Sequence, residues 1–131
     1  MRALARTPDG MATWPEFARE LREAAAVVVP PLILSEVDYF LAKDRVAARR
    51  LLAEVLDPAT TYELEPLLPE DLVRALQLDA KFGSLELGLV DASVAAVAER
   101  RGIYRVLTTD HNDFGPVRIG PQYRQPLVLL P

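Results

Sequence analysis

The chain has 131 residues, no cysteine and a formal net charge of −4. Half of its residues are hydrophobic and 26% are charged, the balance of one compact soluble domain rather than a disordered chain. No apolar run approaches the roughly 18 residues of a membrane helix, a signal peptide is not expected from the start Met1 to Arg6, and the absence of cysteine excludes disulfides and thiolate metal sites and fits the cytoplasm. In chain order, Trp14 to Ala26 is predicted as a helix, with Phe17, Leu21 and Ala25 at helical spacing. The β-branched run Val27-Val28-Val29 predicts a buried strand. Pro30-Pro31 ends it and opens a helix to about Ala42. Asp44 caps a further helix that Asp57-Pro58 stops. Thr60 to Leu64 predicts a strand, and Pro69-Glu70-Asp71 opens a helix to about Phe82, closed by Gly83. Leu85 to Arg101 predicts a helix, or a turn plus a helix, ended by Gly102. Arg105 to Thr109 and Leu127 to Leu130 predict strands, joined by irregular, proline-rich chain. Strands alternating with helices indicate an α/β fold with a mainly parallel sheet covered on both faces.

Most of the 19 acidic residues sit among other charges. Three do not. Glu36 lies in Leu32-Ile33-Leu34-Ser35-Glu36-Val37-Asp38-Tyr39-Phe40-Leu41, where apolar side chains surround nearly the whole helix. Its carboxylate is either partly buried or on a narrow exposed stripe, and Asp38 is the other mark of such a stripe. Burying an unpaired charge is costly. Asp91 lies in Leu89-Val90-Asp91-Ala92-Ser93-Val94-Ala95. It is a helix N-cap, with the helix starting at Ala92, or an acid facing a cleft, and the two can coexist. Asp110 follows the strand Arg105-Val106-Leu107-Thr108-Thr109, at the strand end where parallel α/β sheets bind ligands. The competing reading is an Asx turn into His111-Asn112-Asp113-Phe114. Thr108 is either a hydroxyl partner of Asp110 or a plain strand residue, and Asp113 is a reserve acid.

Were these acids to converge, two carboxylates ~4 Å apart would repel by about 4 kcal/mol at an effective dielectric of ~20. Such a cluster requires protons or a cation, and all-oxygen donors favour Mg²⁺ or Mn²⁺. Metal-assisted phosphodiester hydrolysis is the matching reaction class. A zinc site built on several histidines is excluded by the single histidine, His111. Phe82-Gly83-Ser84-Leu85-Glu86-Leu87-Gly88 has the wrong spacing for a nucleophile elbow, a P-loop or a dinucleotide fingerprint. The acidic balance argues mildly against a nucleic-acid binder. Two arginine groups, Arg45, Arg49 and Arg50, and Arg100, Arg101 and Arg105, are either solvated helix faces or phosphate contacts.

Four segments resemble PIN domains, and specifically the VapC toxins of bacterial type II toxin–antitoxin pairs. They are Val28 to Tyr39, Leu87 to Ser93, Val106 to Phe114 and Leu127 to Pro131, in the family's order and separation across nearly the whole chain. The resemblance implies a three-layer α/β/α fold with a central, mainly parallel sheet. It also implies four acids converging on Mg²⁺ or Mn²⁺, of which Glu36, Asp91 and Asp110 match the second, third and fourth. Thr108 matches the threonine that precedes the last acid. The family cleaves RNA, often a tRNA or rRNA site, is usually dimeric, and is inhibited by a small antitoxin of the VapB type.

One departure stands out. The family opens with a short apolar strand that ends in Asp, and nothing similar precedes Trp14. Asp9, in Thr7-Pro8-Asp9-Gly10, reads as a turn and not as that ligand. The single PIN-like domain over 1–131 is thus expected to be incomplete at its N-terminus. Two expectations follow: a metal-dependent endoribonuclease whose first strand lies upstream, or a catalytically degenerate domain that only binds an antitoxin.

Overall fold

The computed structural model describes Arg19 and residues 23–85, 87–107 and 116–130. The first predicted helix lies mostly outside these residues. Arg19 and Glu23 are helical, and the chain has left the helix by Ala24. Strand β1 spans Val27–Val29, helix α1 Ile33–Phe40, α2 Arg45–Leu56, β2 Tyr62–Leu64, α3 Pro69–Lys81 and α4 Gly88–Arg101. The chain then forms β3 Arg105–Leu107, β4 Arg118–Ile119, β5 Gln125–Pro126 and β6 Val128–Leu130. Asp44 caps α2 as predicted, its Oδ1 accepting from the Ala47 N–H at 3.1 Å. Gly83 does not simply stop α3; it begins a 3₁₀ turn over Gly83–Leu85 that leads into α4.

The fold is α/β. Strand β1 pairs in parallel with β2, in the register Val27–Tyr62 to Val29–Leu64, and β3 pairs in parallel with β6. Each parallel step requires a long crossover, which α1 and α2 supply between β1 and β2. Among the described residues no ladder joins the two parallel pairs. The chain between β3 and β6 was expected to be irregular, yet it holds an antiparallel hairpin in which Arg118 faces Pro126 and Ile119 faces Gln125. Strands of two residues carry no detectable period, and Pro126 within one of them argues against a strand.

Helix α4 is the centre of the core. Every residue from Asp91 to Ala98 is buried, as expected of a helix with apolar residues on all sides. Its Ala92, Val94, Ala95 and Ala96 join Val27, Val29, Ile33, Val106, Ile119 and Leu127 in one cluster. Four alanines in this run let neighbouring elements come close. Gly102 ends α4 at φ 65°, the left-handed conformation that glycine adopts without steric penalty.

Charged groups tie α3 to α4. Arg100 donates to both oxygens of Asp71, Nε to Oδ1 at 2.8 Å and Nη2 to Oδ2 at 3.0 Å. Asp71 also accepts from the Leu68 N–H at 2.9 Å, the carboxylate half of a capping box. Arg100 and Arg101 both reach Glu65, at 3.2 and 3.0 Å. Burial pushes the Asp71 carboxyl up, but the Arg100 hydrogen bonds, the Leu68 N–H and the guanidinium charge together hold it below its ordinary value. A carboxyl depressed in the folded state stabilises fully above its unfolded value, near 3.9. That stabilisation disappears as pH falls through the folded value. The stability gap between the wild type and Asp71→Asn, followed by urea unfolding, is therefore expected to be constant from pH 7 to about 5 and to close in more acidic solution.

A second tie links Arg74 on α3 to Glu99 on α4, with Nε to Oε1 at 3.0 Å and Nη2 to Oε2 at 3.0 Å. Glu99 Oε2 also accepts from the Gly120 N–H at 2.7 Å and so anchors the turn between β4 and β5. In that turn Gln122 and Tyr123 hold φ of 59° and 53°, which is strained for non-glycine residues. The Tyr123 ring is held by Arg74 at 4.9 Å, Lys81 at 5.2 Å and the edge of Phe82 at 6.3 Å. Arg74, Glu99 and this turn line a cavity of about 430 Å³. The Arg74 donors are taken up by Glu99, Gln77 and the Gly120 carbonyl, so the cavity's polar groups serve the packing.

Candidate active site

Strand β1 ends at Val29 and the Pro30-Pro31 turn sends the chain directly into α1, which places Glu36 in that helix's first turn beyond the strand's carboxyl end. Glu36 is half-buried. The ring of apolar side chains around α1 does not mean that the helix is enclosed: Tyr39 is 84% exposed and Phe40 is exposed as well. Asp38 lies on the solvent side and pairs with Arg45 at 2.8 Å. Ile33, one turn before Glu36, is buried in the same cluster as Ala92 and Ala95 of α4.

Asp91 is only 5% exposed. The N-cap reading of Asp91 fails, because α4 starts at Gly88 rather than Ala92 and carries Asp91 within its first turn. Gly88 has φ 76°, so the regular helix begins just after it, within the usual margin for a helix boundary. The Gly88 N–H donates to Asp79 Oδ1, on α3, at 3.1 Å. Sequence reasoning missed Asp79. The available signal was a carboxylate in the last turn of α3, where it opposes that helix's own dipole. Ser93, the other polar residue of this run, donates to the Val90 carbonyl at 2.6 Å and serves the helix.

Strand β3 leads toward Thr108 and Asp110. These two, the reserve acid Asp113 and His111 lie outside the described residues. Among the described residues no group of three or more histidine or acidic side chains comes together to hold a metal. The arginine groups divide. Carboxylates of β2, α3 and the chain between them engage both Arg100 and Arg101. Arg45 pairs with Asp38, while Arg49 and Arg50 are exposed on α2.

The donors in place are carboxylates. Asp91 in particular places a carboxylate inside an apolar core, where an ionised group requires compensating charge or hydrogen bonds. Oxygen donors of this kind fit a hard divalent cation better than a soft one. Among the described residues no helix is long and apolar enough to cross a membrane.

Ribonuclease VapC26 of Mycobacterium tuberculosis (strain H37Rv) is 29% identical over 96 residues, covering 72% of this chain and 70% of that protein. The family model for the PIN domain matches residues 13–118, a span that contains Glu36, Asp91, Thr108 and Asp110. The chain belongs to the PIN domain family.

Proposed function

We propose that this PIN domain is a VapC-type endoribonuclease toxin that hydrolyses RNA phosphodiester bonds with Mg²⁺ or Mn²⁺. The buried Asp91 carboxylate at the start of α4 carries the reading, and the likeness to a VapC ribonuclease supports it. Glu36, Asp91 and Asp110 are the proposed cation ligands, with Asp113 in reserve, and Thr108 orients Asp110. A divalent ion held there would lower the pKa of a bound water and neutralise charge on the phosphate. The protein's own part would be to hold these carboxylates close enough for a cation to relieve their mutual repulsion. A tRNA or rRNA substrate, a VapB-like antitoxin, a homodimer and a cytoplasmic location complete the reading.

The cation test is thermal. A ligand that binds only the folded state stabilises it by about 2.7 kcal/mol at a hundred times its dissociation constant, a Tm rise of roughly 10 °C for a domain of this size. Mn²⁺ is expected to produce such a rise in the wild type, and Glu36→Gln to shift its midpoint to higher Mn²⁺ concentration. No rise would overturn the metal reading. A rise without RNA cleavage, together with co-purification of an antitoxin, would assign the domain as a catalytically silent binding module.

A further inference from the structure

We infer that Asp79 is a positioning residue for the metal site: by accepting from the Gly88 N–H it fixes the first turn of α4 and with it the Asp91 carboxylate. The inference rests on the proposed role of Asp91 as a cation ligand. Three observations carry it. Leu87, the residue at the helix boundary, has no side-chain acceptor, so the start of α4 receives no cap from its own sequence. Asp79 supplies that acceptor from another helix, at 3.1 Å. A carboxylate in the last turn of α3 is electrostatically unfavourable toward α3 itself and favourable toward the N-terminus of α4, so its placement is explained by the second helix.

The turn it holds is also unusual. Gly88 has φ 76°, a conformation with no intrinsic bias toward the helix that follows it. Asp91 comes three residues later, within one turn, and its side chain is buried. A shift in the backbone at Gly88 therefore moves the Asp91 carboxylate, and a cation site tolerates only small displacements of its ligands. The half-buried Asp79 acts through Asp91, and not on the cation directly.

The test compares Asp79→Ala, which removes the acceptor, with Asp79→Asn, whose amide oxygen retains it. Mn²⁺ binding is followed by calorimetry and by the Mn²⁺ midpoint of the Tm shift. Asp79→Ala is expected to weaken Mn²⁺ binding by about 10- to 100-fold, the range seen when a partner that orients a metal ligand is lost. Asp79→Asn is expected to stay within about twofold of the wild type, since it keeps the hydrogen bond. If Asp79→Ala does not fold, Asp79→Leu, close in size and without an acceptor, takes its place. A lower metal-free Tm with an unchanged Mn²⁺ midpoint would make Asp79 merely structural and overturn the inference. Equal loss in Asp79→Asn would overturn it too, because charge rather than the hydrogen bond would then matter. A failure of the underlying reading looks different: Asp91→Asn would bind Mn²⁺ as the wild type does, whatever Asp79 variants do.

Discussion

Asp91→Asn is expected to lower divalent-metal-dependent RNA cleavage about a thousandfold, equivalent to about 4 kcal/mol of activation free energy. The substitution keeps size and shape and removes one negative charge, so it probes the carboxylate's chemistry rather than its volume. Asp91 is buried in the first turn of a helix whose next seven residues are also buried. The Mn²⁺-induced rise in Tm is expected to shrink in Asp91→Asn. Cleavage assays on a defined RNA with and without Mn²⁺, beside thermal melts of the same samples, read both. Unchanged cleavage by Asp91→Asn would remove the ribonuclease reading, and a large drop in metal-free Tm would mean that the carboxylate is there for the fold.

Asp71→Ala is expected to destabilise the protein by about 3 kcal/mol with little effect on the urea m-value. The Asp71 side chain is 3% exposed and serves two partners at once, the Arg100 guanidinium and the Leu68 N–H that opens α3. Loss of a cap costs about 1 kcal/mol, and removing one member of a buried pair about 3–5 kcal/mol because the other charge is stranded. Here Arg100 is partly exposed and retains Glu65, which lowers the pair's share to about 2 kcal/mol and the sum to about 3 kcal/mol. A double-mutant cycle with Arg100→Ala separates the parts: the coupling should be about 1–2 kcal/mol, and the remainder is the cap. Urea unfolding that gave less than about 1 kcal/mol for Asp71→Ala would show that the α3–α4 tie contributes little beyond the apolar contact of the two helices.

Much of the architecture was legible because it depends on local rules. Val27 to Val29 is a strand since three β-branched residues bounded by proline have few alternatives. The Asp44 cap, the Pro69 opening of α3 and the Gly102 ending of α4 each follow from the conformational limits of one residue type. The α/β class follows from the alternation of such elements, and the candidate acids Glu36 and Asp91 stood out because a carboxylate in apolar company demands a reason. The resemblance to PIN domains matched Glu36, Asp91, Asp110 and Thr108 to positions of the family and is borne out at the level of the family.

What the sequence could not determine is how remote groups divide their roles. Asp91 looked equally suited to a cap or a cleft, because both put a carboxylate before an apolar helix. In the structure α4 starts at Gly88, ahead of the predicted start, and the Gly88 N–H donates to Asp79, twelve positions before Asp91 on another helix. Arg100 and Arg101 looked like surface charge until the chain brought Glu63, Glu65 and Asp71 against them. The β4–β5 hairpin has no periodicity of its own, and its turn is held from outside by Glu99 and Arg74. Composition and local pattern thus determined the elements and the acidic candidates, because propensity and burial act over a few residues. Tertiary structure alone decided which carboxylates brace the fold and which start a helix, because hydrogen bonds and ion pairs form between groups that are near in space and distant in the chain.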